Sequence, residues 1–230
     1  MSNTHAGPGA IFDVDGTLVD SYQAHFESWR DTLEGHGITY GPDEFARDFG
    51  RRNPEIITEL WEERGLDKPS DELIETIAQK KEATFRSIIA RDFPAMPGAK
   101  GLLAGLHEAG WRIAVGSSAP RENVALSIEK LGVESFLDGT VCGDDVSRGK
   151  PHPDVFLHAA SLLGIDPGNC VVIEDAAAGI EAAHRAGMPA AVIVSRGRTH
   201  EELAAAESIV DSLDELDPEA LAQVIKEHVA

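Results

Sequence analysis

Apolar residues along this chain keep one rhythm up to about residue 94 and another beyond it. Ala10-Ile11-Phe12 is a short apolar run entering an Asp- and Gly-rich turn, the pattern of a buried strand. From 21 to 36, Phe26, Trp29 and Leu33 recur at helical spacing. Residues 55–64 carry Ile56, Ile57, Leu60 and Trp61 in the same way, and 71–90 carry Leu73, Ile74, Ile77, Phe85, Ile88 and Ile89. No strand pattern interrupts this block, so it is expected to be all-helical.

Pro94-Ala95-Met96-Pro97-Gly98 then punctuates the chain. Helix patterns at 102–109, 122–131, 154–163 and 176–186 alternate with apolar strand patterns at 112–116, 140–142, 170–173 and 189–194. Such alternation predicts an α/β fold with a parallel sheet covered by helices on both faces. The expected division is a core made of 1–21 and 95–230, with 22–94 inserted after the first strand as a helical domain.

Composition adds constraints to this picture. The chain has 230 residues, enough for a large core, with 42% hydrophobic and 26% charged residues. Forty acidic residues against 20 basic give a net charge of -20, which repels nucleic acid and anionic membranes alike. An anionic substrate would need local positive charge from a metal or from a few placed Lys and Arg side chains. The two cysteines, Cys142 and Cys170, each sit beside valine and read as buried strand thiols; without a Cys-x-x-Cys pair, zinc and redox sites are not expected. The first eight residues lack the basic and apolar regions of a signal peptide, and no apolar stretch approaches the ~20 residues of a membrane helix. A cytoplasmic protein is expected, for which a monomer suffices.

In open α/β sheets reacting groups gather at the carboxyl ends of strands. Asp13 and Asp15 follow the first predicted strand, Ser117 and Ser118 the second, and Glu174 and Asp175 the fourth, while Lys150 precedes the helix beginning near Asp154. Carboxylates, a hydroxyl and a lysine on one rim suit a divalent cation and a phosphate. Hard oxygen ligands fit Mg²⁺, which commonly bridges carboxylates to substrate phosphate. An ionised carboxylate can attack phosphorus, a second carboxyl group two residues on can protonate the leaving oxygen, and lysine and serine can hold phosphoryl oxygens. Taken singly the pieces are ambiguous. Asp-x-Asp-Gly also opens calcium loops, although the EF-hand glycine position is Leu18; Ser117-Ser118 could cap a helix; Glu174-Asp175 could be a helix N-terminus that favours acids.

Asp13-Val14-Asp15-Gly16-Thr17, Ser117, Lys150-Pro151 and Glu174-Asp175, in that order, resemble the four motifs of the haloacid dehalogenase superfamily. The resemblance spans nearly the whole chain and implies a Rossmann-like core and an aspartyl-phosphate mechanism. By that likeness Asp13 is nucleophile and metal ligand. Asp15 is general acid/base, its backbone carbonyl also on Mg²⁺; Ser117 and Lys150 bind phosphate; Asp175 is the third metal ligand, helped directly or through water by Glu174. Gly16, Thr17 and Ser118 fall among the substrate-binding positions. Asp15 argues against the dehalogenases themselves, which lack that second carboxylate. The helical insert resembles the superfamily's small cap, which implies a small phosphorylated metabolite as substrate.

Within the superfamily the chain is most similar to β-phosphoglucomutase and its phosphatase relatives. Asp20-Ser21, His25-Phe26 and Trp29 resemble the mutase segment joining core to cap, and His25 reads either as substrate-binding or as a packed helix histidine. Where mutases carry a cap arginine for a distal phosphate, this chain has Asn53, in Gly50-Arg51-Arg52-Asn53. That departure favours a Mg²⁺-dependent phosphatase of small monoesters over a phosphohexomutase. A non-catalytic binder that keeps the fold is a third reading. Arg51, Arg52, Asn53 and Arg121 are the candidates for local positive potential around substrate. Lys80 and Lys81 read as lying on an exposed helix face, poorly placed for Schiff-base chemistry.

Overall fold

The computed structural model describes residues 7–229, so the N-terminal reading of no signal peptide rests partly on residues 1–6, which lie outside the described residues. Valine, isoleucine and alanine runs form six strands among the described residues: β1 (Gly9–Phe12), β2 (Arg112–Gly116), β3 (Gly139–Val141), β4 (Cys170–Glu174), β5 (Ala190–Ile193) and β6 (Ser208–Val210). They make one sheet in the order β3-β2-β1-β4-β5-β6, and every pair is parallel. Strands β1, β4 and β5 are buried along their whole length, as a sheet covered on both faces requires. The strand order reverses between β1 and β4, and in such sheets the crevice outside the carboxyl ends at that point is where ligands bind.

Alternation along the strands sorts side chains to two layers. Ile11, Ala114, Val172 and Val192 share a buried cluster with Val155, Phe156 and Ala159 of α7 (Asp154–Leu163) and Ile180 and Ala183 of α8 (Ala177–Arg185). Helix α5 (Ala99–Glu108) packs on β2, and α9 (Pro218–Val229) packs on β4 and β5, outside that cluster. Helix α6 (Arg121–Leu131) ends at Gly132 in the left-handed region. The two free cysteines are buried, Cys170 on β4 and Cys142 just past β3. Among the described residues no helix is long and apolar enough to cross a membrane.

The chain divides into two compact units, one up to Asp20 and from Pro94 onward, the other Ser21–Phe93. The second unit comprises α1 (Tyr22–Glu34), α2 (Pro42–Asp48), α3 (Asn53–Glu63) and α4 (Asp71–Arg91). Its own core gathers Trp29, Leu33, Tyr40, Phe45, Ile57, Leu60 and Ile77.

The structure corrects the expectation for Lys81. Lys80 is exposed, but Lys81 is buried, in line with Ile77 and Phe85 on the inner face of α4. Lys81 Nζ donates to His25 Nδ1 and to Glu82 Oε1, both at 2.9 Å, and lies over the rings of Trp29 and Phe85. Asn53 Nδ2 donates to the same Glu82 oxygen at 2.8 Å, and the His25 ring stacks on Phe85 with centroids 4.2 Å apart.

Burial alone would raise the Glu82 carboxyl; the charge of Lys81 and the hydrogen bonds from Asn53 and Lys81 outweigh it, leaving it below its ordinary value of 4.5. A depressed folded-state pKa contributes stability above the unfolded value and loses it as pH falls through the folded one. Glu82→Gln is therefore expected to destabilise the helical unit by about 3 kcal/mol at neutral pH, because it strands a buried ammonium. The difference from the parent should shrink progressively below pH 4.5, as urea titrations at several pH values would show.

Candidate active site at the carboxyl ends of β1 and β4

Strand β1 delivers Asp13 to the switch point: its backbone N–H donates to Ile173 O at 2.9 Å, continuing the ladder to β4 by one step. The chain then turns tightly, with Val14 O accepting from Leu18 N at 2.9 Å and Val19 N at 3.0 Å. Gly16 has φ +81° in this turn, and a Cβ there would lie 2.0 Å from Asp175 Oδ2, so only glycine lets turn and carboxylate meet. Glu174 ends β4 and Asp175 follows it.

Asp13, Glu174 and Asp175 are all buried, and each presents a carboxylate oxygen within 4.8 Å of the others. Lys150 Nζ bridges two of them, 2.5 Å from Asp13 Oδ1 and 2.7 Å from Glu174 Oε1, and lies 4.7 Å from the centroid of the Phe156 ring. The other oxygen of Glu174 accepts from the backbone N–H groups of Asp175 and Ala176, each at 2.7 Å, at the start of α8. Gly179 leaves the room this needs, since a Cβ there would meet the Glu174 carboxylate at 2.0 Å. Asp175 Oδ2 accepts from Ser195 Oγ at 2.6 Å and has Arg198 Nε at 3.7 Å.

Electrostatics follow from this crowding. Burial raises the Asp13 carboxyl well above its usual range against the opposing charge of Lys150, and Glu174 and Asp175 push it the same way. Asp175 is pushed up to about 7, first by burial and then by Glu174, with Arg198 and Ser195 opposing. Burial alone would lower Lys150, yet Asp13 and Glu174 more than reverse that and keep its ammonium charged. Three buried like charges in hard oxygen ligands fit a divalent cation such as Mg²⁺, which Asp13, Glu174 and Asp175 would hold.

The remaining sequence-derived residues divide. Asp15 lies in the turn two residues past Asp13 and is partly exposed. Thr17 is fully buried, its hydroxyl without a hydrogen-bond partner among the described residues. Ser117 follows β2, whose Val115 pairs with Phe12, so it shares the rim with Asp13. It is buried, its N–H donates to Val141 O at 3.0 Å and its Oγ accepts from Ala119 N at 3.1 Å. Ser118 is exposed. Arg121 does not supply free positive potential: its N–H donates to Asp144 Oδ2 at 2.8 Å and its guanidinium pairs with Asp145. In the helical unit Arg51 is likewise committed, 3.0 Å from Asp48 and 2.5 Å from Glu59, and Asn53 is held by Glu82. Arg52 is exposed at the N-terminal flank of α3.

Sequence reasoning passed over Ser195 and Arg198. They follow β5, so the rule that located the other residues, chemistry at a strand's carboxyl end, also reaches them.

Comparison with known proteins extends this geometry. The model of the haloacid dehalogenase-like hydrolases matches residues 8–187. The chain is 34% identical over 204 residues to validoxylamine A 7'-phosphate phosphatase of Streptomyces hygroscopicus subsp. limoneus, covering 87% of this chain and 91% of that protein. It is 36% identical over 182 residues to hexitol phosphatase A of Escherichia coli K12, covering 78% and 79%. Its fold is similar to the crystal structure of β-phosphoglucomutase from Clostridium difficile, with TM-score 0.85 and 26% identity over 97% of this chain and 99% of that one. With motif order, sheet topology and buried carboxylates in agreement, the chain belongs to the haloacid dehalogenase-like hydrolase family.

Proposed function

We propose that this protein is a Mg²⁺-dependent phosphatase of small phosphate monoesters, sugar phosphates foremost, acting through an aspartyl phosphate on Asp13. The observation that carries the reading is the buried contact of Lys150 with both Asp13 and Glu174 beside Asp175. Relatives named as phosphatases of phosphorylated small molecules support the substrate class.

In the first half-reaction an Asp13 carboxylate oxygen attacks phosphorus, the bond from phosphorus to the ester oxygen breaks, and Asp15 gives its proton to the departing alkoxide. In the second, Asp15 takes a proton from water, the water oxygen bonds to phosphorus, and the bond to Asp13 breaks, restoring the carboxylate and releasing inorganic phosphate. Lys150 favours the ionised form of Asp13 against burial, and Ser117 is assigned to a phosphoryl oxygen. A divalent cation on Asp13, Asp175 and Glu174 would supply neutralisation of the charge on nucleophile and phosphoryl group. The helical unit is assigned substrate discrimination, with His25, Arg52 and Asn53 as its candidates.

A second reading, a phosphohexomutase, draws on the fold shared with the C. difficile enzyme. The neutral Asn53, its amide already donating to Glu82, favours water as acceptor instead. Incubation with β-glucose 1-phosphate separates the two: free phosphate is expected, and accumulation of glucose 6-phosphate would establish the mutase.

Asp13→Asn is expected to lower kcat by about three orders of magnitude or more across a panel of phosphorylated metabolites. Chelation should abolish phosphate release and added Mg²⁺ restore it. A parent-like Asp13→Asn protein would sink the mechanism.

Arg52→Gln should raise KM roughly tenfold with kcat little changed, the mark of uniform binding lost. Arg51→Gln should instead lower the melting temperature, because it opens the pairs with Asp48 and Glu59. Equal KM for Arg52→Gln and the parent would remove Arg52 from substrate recognition.

A further inference from the structure

The segment after β5 doubles back on itself. Ser195 N–H donates to Ile193 O at 3.0 Å and Arg198 N–H to Ser195 O at 3.1 Å, with Gly197 at φ +83° inside the turn. This brings two side chains, twenty or more positions away in sequence, onto one oxygen of Asp175. Ser195 is 8% exposed and donates from Oγ at 2.6 Å; Arg198 stands at 3.7 Å. On another side the bare backbone of Gly16 lies against the same oxygen, where no Cβ fits.

The two contacts have different consequences for a cation. Arg198 attracts the carboxylate but, being positive, also opposes any metal that comes to it. The Ser195 hydroxyl carries no net charge: it fixes the carboxylate's direction at a smaller electrostatic cost to the metal than a full positive charge. Outer partners that orient a ligating group are what hold a metal site in shape.

We infer that Ser195 is a positioning residue that sets the Asp175 carboxylate for divalent-cation binding through its Oγ–H donation to Oδ2. The inference rests on the reading of Asp13, Glu174 and Asp175 as a cation-dependent phosphatase centre.

The test is Mn²⁺ binding to metal-free protein, read from the loss of free-ion paramagnetic resonance signal, on the parent, Ser195→Ala, Ser195→Gly, Ser195→Thr and Asp175→Asn. Ser195→Ala and Ser195→Gly are expected to weaken Mn²⁺ roughly tenfold. With saturating metal, kcat and KM for a phosphate ester should stay within about twofold of the parent, because the hydroxyl acts only through Asp175. Ser195→Thr, which keeps the donor, should recover most of the affinity. Parent-like Mn²⁺ affinity in Ser195→Ala, or in Ser195→Gly if the alanine variant does not fold, overturns the inference. So does a Ser195→Thr protein as weak as the alanine variant while melting at the parent's temperature. Asp175→Asn distinguishes the two levels: if it binds Mn²⁺ like the parent, the metal-centre reading itself falls. If Asp175→Asn loses Mn²⁺ and Ser195→Ala keeps it, only the role of Ser195 falls.

Discussion

Three carboxylates buried with oxygens within 4.8 Å of one another cannot all remain ionised unless positive charge reaches them. Lys150 reaches two and Arg198 the third. That leaves the set one positive charge short of balance, in a place where water cannot make up the difference. Burial first, and the neighbouring carboxylates after it, raise the Asp13 and Asp175 carboxyls. A divalent cation is the ligand that such a set fits, and a phosphate dianion is what the resulting positive charge would accept. A surface of net charge -20 makes this local arrangement matter more, since long-range attraction of a phosphate ester is ruled out.

The fold supplies that arrangement through backbone placement more than through side-chain adjustment. Because β1 and β4 are neighbours, Asp13 and the Glu174–Asp175 pair arrive side by side although they lie far apart in sequence. Close approach then depends on two positions without a Cβ, Gly16 against Asp175 and Gly179 against Glu174. Phe156 joins the core cluster behind this rim while its ring lies under the Lys150 ammonium, so packing of the sheet and orientation of the lysine share one side chain.

Most of the sheet was legible because its strands are apolar on both faces and stand out from amphipathic helices. Asp13, Glu174 and Asp175 were legible because charged residues stand out at the ends of such apolar strands, and Lys150 because it precedes the helix that begins at Asp154. The edge strand β6 has only Ile209 and Val210 apolar, between Ser208 and Asp211, too little contrast to read, and α2 is a seven-residue helix that opens at Pro42 after Gly41. Helix α9 did carry a signal: Asp217 Oδ1 accepts from Ala220 N–H at 2.8 Å as a cap, ahead of Leu221 and Ile225 four apart. Lys81 was misplaced because residue type outweighed period. Ile77, Lys81 and Phe85 lie at spacing four on one stripe, and the stripe is the buried one. Ser195 was missed because Ser-Arg-Gly-Arg reads as a surface turn, and only the pairing of β4 with β5 brings it back to Asp175.

Inside the helical unit, arginines that an acidic protein could have spent on substrate are spent on its own acids. Arg47 pairs with Asp48 and Glu63, Arg51 with Asp48 and Glu59, and Arg64 with Glu44. The polar groups in its interior are linked in turn. Asn53 donates to Glu82, which accepts from Lys81, which donates to His25. Replacing Asn53 removes a neutral donor from the carboxylate that balances a buried ammonium, so the change reaches His25 through two hydrogen bonds. The first residue of α3 and a residue of α1, 28 positions apart in sequence, therefore act as one unit, and substitutions at Asn53 and His25 should be non-additive. The Asn53–Glu82–Lys81–His25 chain responds as a whole, because a change of charge or direction at one member alters the hydrogen bond to the next.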